Sequence, residues 1–256
     1  MTAEALTPEG VSAGFALLLV AASFFTSAMT AAFGVGGGLA LLALMGSGMP
    51  VAALIPAHGV VQLGSNAGRA FMLRDAVDRR FLLAFLPGAV LGAATGGAVV
   101  EAAPETLLKL VLSGFVLFLV WGPKPKAGPL ATGPLGIGFG GVVTSALTMF
   151  LGATGPLVGA LASAQGWEKA RTVATMAAAM TGQHLLKTIV FGLVGFAWAE
   201  WAPLIGAMVV TGYLGTLYGV RLLRRAPESR FRSGFRWLLT LLAANLAIQA
   251  IWSAIG

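Results

Sequence analysis

Thr26-Ser27-Ala28-Met29-Thr30-Ala31-Ala32-Phe33-Gly34-Val35-Gly36-Gly37-Gly38 interrupts a long apolar run with two threonines, a serine and four glycines. An ordinary membrane-spanning helix has no use for them. The pattern returns 118 positions later as Thr144-Ser145-Ala146-Leu147-Thr148-Met149-Phe150-Leu151-Gly152-Ala153-Thr154-Gly155-Pro156. Without a gap, Thr26, Ser27, Ala28, Thr30, Gly34 and Gly37 meet Thr144, Ser145, Ala146, Thr148, Gly152 and Gly155. Glycines coincide easily in a chain that has 36 of them; an ungapped Thr-Ser-Ala-x-Thr match is much harder to obtain by chance.

Composition sets the class around this pair. The chain is 57% hydrophobic and 10% charged, whereas a soluble domain carries about 25% charged residues. Mean hydropathy is +0.89, and the long apolar runs point to membrane helices rather than a barrel. Dense glycine lets helices approach closely in lipid, where no hydrophobic force draws them together. With no cysteine, disulfides, iron–sulfur clusters and thiol chemistry are excluded. The net charge of +7 does not indicate a nucleic-acid partner, because the basic residues lie between apolar spans, where topology explains them. Met1 to Gly10 holds Glu4 and Glu9 and no Lys or Arg. A cleavable signal would start with a basic region, so the first span is expected to enter directly with its N-terminus outside.

The block from Val11 to about Leu73 is too long for one span of roughly 20 residues. Breaks at Gly34–Gly38 and at Gly46-Ser47-Gly48-Met49-Pro50 divide it into pieces of about 11–33, 35–47 and 50–73. The middle piece is short for a crossing, so the first two are expected to form a broken, hairpin-like pair lining protein or water. A charged loop, Arg74 to Arg80, precedes a span of about 81–100 with Gly88, Gly92 and Gly96 on one face. Glu101 and Glu105 mark the next turn, and a fifth element of about 106–121 ends at Trp121-Gly122-Pro123-Lys124-Pro125-Lys126. The second half repeats this order. An interrupted stretch from Gly133 to about Gly166 leads to spans of about 168–195, 202–221 and 237–255. The divisions expected are therefore a first membrane repeat (1–122), a cytoplasmic linker (123–132) and a second repeat (133–256).

Charge fixes the orientation. With 74–80, 122–128, 167–171 and 222–236 in the cytoplasm, fourteen of the sixteen Lys and Arg lie on or beside that side, all but Lys109 and Lys187. Arg221, Arg224, Arg225, Arg230, Arg232 and Arg236 make the last loop the most basic, against Glu228 alone. Glu4, Glu9, Glu101, Glu105 and Glu200 fall outside, as do both termini. Five elements that begin outside, followed by five that begin inside, predict an all-α polytopic membrane protein of two inverted repeats.

Gly34-Val35-Gly36-Gly37-Gly38, following a polar-interrupted first helix and repeated in weaker form near mid-chain, resembles the motif of the TauE/SafE family of sulfite and organosulfonate exporters. The resemblance extends to length, span layout, two-half organisation and basic loops. It implies a permease of a prokaryotic cytoplasmic membrane that exports small sulfur oxyanions such as sulfite or sulfoacetate. The chain departs at Ser47 to Val51, where family members often carry a proline sooner after the glycines, and its second motif lacks a triple glycine; both leave the substrate open.

The residues themselves suit an anion. Gly34, Gly36, Gly37, Gly38, Gly152 and Gly155 let a helix stop and its backbone approach a ligand. Free N–H groups at a half-helix N-terminus carry partial positive charge. The hydroxyls of Thr26, Ser27, Thr30, Thr144, Ser145 and Thr148 can hydrogen-bond sulfonate oxygens; alternatively they bond their own helix and the motifs are packing contacts. Arg69 and Lys187 are the matched cations, read either as attracting substrate or as anchoring at the interface. His58, Gln62 and Asn66 share one helix face, and Gln183 and His184 lie near Lys187. A histidine can relay a proton for coupled export or serve only as an interior hydrogen-bonding group. No Asp or Glu lies deep in a span, so the carboxylate relay common in proton-coupled pumps is missing.

No cofactor is implied. His-Glu-x-x-His, paired intramembrane carboxylates, a Walker loop and a strand before the glycines are all absent, which argues against metalloprotease, ATPase and dinucleotide chemistry. The expected partners are a small anion, the bilayer and a proton or other coupling ion. An anion channel or a permease for other organic anions on the same frame is the main rival, and an intramembrane enzyme or assembly factor a further one.

Overall fold

The computed structural model describes residues 7–34, 36–100, 104–123, 126, 128–222 and 229–255. Among them all regular structure is helical. The first five α-helices are α1 (Ala13–Phe33), α2 (Gly37–Gly46), α3 (Val51–Met72), α4 (Arg79–Val100) and α5 (Glu105–Trp121). The next five are α6 (Pro134–Leu151), α7 (Gly155–Ser163), α8 (Lys169–Leu193), α9 (Trp198–Leu222) and α10 (Ser229–Ile255). α1 and α6 end 118 positions apart, and α2 and α7, like α3 and α8, start 118 positions apart.

The glycine breaks stop both leading helices in the same way. Gly34 (φ 91°) and Gly152 (φ 68°) adopt the left-handed conformation that side chains with a Cβ resist. Their N–H groups bond the carbonyls of Thr30 and Thr148 and close the last turn. Gly36 (φ 107°) then starts α2, and Pro156 presets the first turn of α7. α2 folds back along α1: Gly37 lies so close to the Thr26 carbonyl that a Cβ would overlap it, and Gly48 abuts the Phe15 ring. α7 folds back along α6, with Gly140 against Leu161 and Gln165 Nε2 donating to the Ala131 carbonyl at 3.1 Å. The hairpin-like pairs expected from the sequence are therefore present in both halves. α2 is enclosed on all sides, with Leu41, Leu42 and Met45 fully buried, which is why a ten-residue helix can be apolar all round.

Register fixes direction. Gly88, Gly92 and Gly96 of α4 sit on Gly138, Val142 and Ala146 of α6, so the two helices run parallel. Gly212, Gly215 and Gly219 of α9 sit on Ser23, Phe24 and Ala28 of α1, again parallel. At Gly88, Gly92, Gly215 and Gly219 a Cβ would overlap a carbonyl oxygen of the facing helix. α3 runs with α9 (Gly64 on Val209, Gly68 on Tyr213) and α8 with α4 (Gly182 on Leu86, Gly97 on Val190). The short turn at 73–78 reverses the chain between α3 and α4. One group, α1, α3 and α9, thus runs opposite to the other, α4, α6 and α8. The two hairpins open at opposite ends, and their tips approach in the middle, where Gly152 lies against Leu42.

Asp78 ties the halves together at one end. Its carboxylate accepts from the Phe81 N–H at 2.7 Å as the cap of α4 and pairs with Arg171, while its own N–H donates to Thr175 Oγ1 at 2.8 Å. Burial opposes the charge on this carboxyl, but the Phe81 N–H and Arg171 prevail and hold it below its ordinary 3.8. Trp121 Nε1 likewise donates to Thr240 Oγ1 at 2.9 Å, joining α5 to α10.

α1, α4 over 79–97, α6 and α9 are each long and apolar enough to cross a membrane. Leu83, Leu135, Phe139, Val210 and Trp252 point outward from the bundle. α3 and α8 have spanning length but spend much of their surface on buried polar side chains. One expectation needs correction: α10 begins at Ser229 rather than about 237, so Arg230, Arg232 and Arg236 are helical. Arginine is a good helix former, and nothing from Ser229 to Gly234 breaks the run. Glu4, Val35, Glu101, Lys124, Arg224, Arg225 and Glu228 lie outside the described residues.

Candidate functional site

α3 and α8 pack against each other in the middle of the bundle and bring a polar face to the hairpin tips. A cavity of about 20 Å³ lies there, room for roughly one water molecule. Thr30, Gly36 and Gly38 reach it from the first hairpin, Gly155 and Pro156 from the second, His58 and Asn66 from α3, and His184 from α8. Both half-helices direct their N-termini toward it. Neither Gly36 nor Thr154, the capping residues, supplies a side-chain cap. α2 keeps its first-turn N–H groups for a ligand, whereas in α7 Pro156 has none and the Leu157 N–H bonds the Thr154 carbonyl, which leaves the Gly155 N–H.

Two cations stand one residue behind the wall. Arg69 is 1% exposed and donates through Nη2 to Asn66 Oδ1, while its Nε and Nη1 have no hydrogen-bond partner. Lys187 is fully buried, and its Nζ donates to the Gly152 carbonyl at 2.8 Å, directly behind the second tip. Its stem lies against Gly59, where a Cβ would come within 2.8 Å of Cε. This burial overturns the interfacial-anchor reading for both residues. Among the described residues no Asp or Glu is buried, so neither cation has a carboxylate partner. A buried charge left without a counter-charge is costly.

The remaining candidates divide. His58 Nε2 lies 2.8 Å from the Gly38 carbonyl oxygen, Asn66 Nδ2 donates to the Gln62 carbonyl at 2.8 Å, and Gln62 Oε1 lies over Gly38. Gln183 Nε2 donates to Thr144 Oγ1 and Ser145 Oγ at 2.8 and 2.9 Å, and its Oε1 has no partner. These bonds lock α8 to α6 beneath the second tip. Thr148 Oγ1 is buried without a partner. Thr26 and Ser27 are not brought to the cavity. Thr26 Oγ1 donates to the Ala22 carbonyl at 2.8 Å, and Ser27 faces Gly212 of α9. Thr30, although it lines the cavity, donates to the Thr26 carbonyl at 3.0 Å. For Thr26 and Thr30 the self-bonding alternative describes the hydroxyls better, and Ser27, whose hydroxyl has no hydrogen-bond partner, is a packing contact.

Sequence reading passed over Met176 and Met180, which line the cavity with their ends over Gly155. Their 118-offset counterparts are His58 and Gln62. That equivalence was the available signal, although apolar side chains carry no chemical mark of it. Thr154 was also missed; its Oγ1 donates to the Thr144 carbonyl at 3.2 Å and braces the second tip.

A family model described as sulfite exporter TauE/SafE matches residues 19–246, from within α1 to within α10, with both hairpin tips and all of α2 to α9 included. The chain belongs to the TauE/SafE family. No curated protein and no solved structure gives a match. As a TauE/SafE protein it is a multi-pass membrane transporter of the kind that moves sulfur anions. The buried, unpaired cations at its centre have the sign that such a cargo requires.

Proposed function

We propose that this TauE/SafE protein is a secondary transporter that exports a small sulfur oxyanion, sulfite or an organosulfonate, across a prokaryotic cytoplasmic membrane by alternating access. The observation that carries this reading is the pairing of Arg69 and Lys187, both buried and without a carboxylate, behind two half-helix N-termini. The anion sits between the hairpin tips, against the first-turn N–H groups of α2 and the Gly155 N–H of α7. Arg69 contributes its two unpartnered donors and Lys187 its charge. Opposite helix directions and matched 118-position boundaries support two inverted repeats, with the four basic segments on the cytoplasmic side. The contacts Asp78–Arg171 and Trp121–Thr240 support that orientation, since each joins a residue of one half to a residue of the other beside these segments.

A cavity of about 20 Å³ favours a carrier over a channel. It is smaller than the anion, so the hairpins must part to admit cargo. In proteoliposomes the expected result is saturable exchange of labelled sulfite, blocked by excess unlabelled sulfite or sulfonate. Absence of saturable exchange, or channel-like conductance in a planar bilayer, overturns the carrier assignment.

A further inference from the structure

The anion site leaves two imidazoles unexplained. His184 is 1% exposed, and neither ring nitrogen has a hydrogen-bond partner. His58 is fully buried; Nε2 serves the Gly38 carbonyl, which leaves Nδ1 as a lone pair without a partner. The rings stand edge to face with centroids 6.3 Å apart, and both line the cavity. Buried polar atoms in proteins are nearly always paired, so the two unpartnered nitrogens of His184, beside a His58 ring that has the Gly38 and Gly152 carbonyls near it, call for a function.

Their charged surroundings are simple. Lys187 lies one turn from His184 on α8, and α3 contributes His58 and Arg69. Of the packed helices, α1, α2, α6, α7 and α4 over 81–100 carry no titratable residue. α9 brings Tyr213 against Gly68 of α3 and carries Glu200 and Arg221 toward its two ends, and α5 carries Glu105 at its start and Lys109 one turn on. The Asp78–Arg171 pair lies thirteen positions back along α8 from His184, about 20 Å at the helical rise. No carboxylate is therefore at hand to offset an added proton.

We propose that the His184–His58 pair is a proton site whose occupancy is tied to that of the anion, so that each anion crosses together with one proton. With the anion absent, a proton on His184 would be a third positive charge beside Arg69 and Lys187, and it is repelled. A bound anion reverses the local sign, and His184 then accepts a proton from water on the side from which the anion came. Both are released to water on the other side, with no further reactant. Linkage makes the effect reciprocal: protonation tightens anion binding as much as the anion tightens protonation. The free His58 Nδ1 offers the proton a second resting place within the cavity. Sulfite with one proton carries a single negative charge, and a sulfonate with one proton is neutral.

This inference rests on the anion-carrier reading, and the test separates the two. The full chain is placed in proteoliposomes with a trapped pH dye, and methanesulfonate serves as a probe that does not titrate. Labelled sulfite and methanesulfonate exchange at equal pH tests the carrier reading alone. Net methanesulfonate efflux with clamped voltage is then expected to alkalinise the lumen by one proton per anion. A pH difference of one unit should drive about tenfold accumulation. In His184→Gln the protons-per-anion ratio should fall to near zero at whatever flux remains. Exchange without any pH change or pH-driven accumulation in the unaltered protein overturns the proposal. So does a ratio of one that survives in His184→Gln but vanishes in Lys187→Gln.

Discussion

At the scale of single residues, Arg69 presents a trade between stability and cargo. A guanidinium that is 1% exposed, with two free donors and no carboxylate, is a burden on the empty protein. Arg69→Met is expected to stabilise the ligand-free protein by roughly 1–4 kcal/mol, less what Asn66 Oδ1 loses, while abolishing the thermal shift caused by sulfite. Melting curves with and without sulfite decide it. A lowered melting temperature with the sulfite shift intact would make Arg69 a structural residue. The same scale shows where sequence reading reaches its limit. Thr26, Ser27 and Thr30 look alike in a motif, because a short hydroxyl can face a ligand or bond the carbonyl one turn back with no change in local sequence. Lys187 was legible, since a lone cation between Arg171 and Glu200 has to find a cavity or a partner.

At the scale of elements, the hairpins and the Asp78 clasp each make a prediction. Gly37 and Gly155 occupy equivalent positions, yet their surroundings differ. A Cβ at Gly37 overlaps the Thr26 carbonyl, whereas at Gly155 it meets only the Met180 methyl at 3.4 Å. Gly37→Ala should therefore cost about 1–3 kcal/mol or prevent folding, and Gly155→Ala should change the melting temperature little. Equal effects in a thermal-unfolding assay would contradict the hairpin packing. Asp78 has its carboxyl held below its ordinary 3.8 in the folded state, so it stabilises fully above that value and progressively less as pH falls through the folded one. Asp78→Asn should lower the melting temperature by about 2–4 °C at pH 7 and flatten its decline below pH 4. A variant whose acid limb parallels the parent shows that the clasp contributes nothing. Element boundaries were largely readable because positive-φ glycines and prolines punctuate them. The start of α10 was not, because arginines suit a helix as well as a loop.

At the scale of the whole molecule, the orientation can be checked without background labelling, since the chain has no cysteine. Single cysteines at Asp75 and Arg171 should react with an impermeant maleimide only from the cytoplasm, and those at Ser12 and Ala197 only from outside. Any of the four labelled from the opposite side would break the inverted arrangement. The 118-position repeat and the charge bias were legible because one is periodic and the other compositional, and helix boundaries recur at that offset. The sequence did not disclose which helices would be partners, since small residues pack against any close backbone. The fourth helices are exchanged: α9 lies on α1 and α4 on α6. That exchange sets a schedule for synthesis. α1 leaves the ribosome first, but its glycine-bearing partner α9 does not exist until some two hundred residues later. The first half must wait in the bilayer with a face of small residues uncovered, and neither half should mature alone. Halves divided within 123–128 and expressed together should assemble into a protein that exchanges sulfite, while either expressed singly should be degraded.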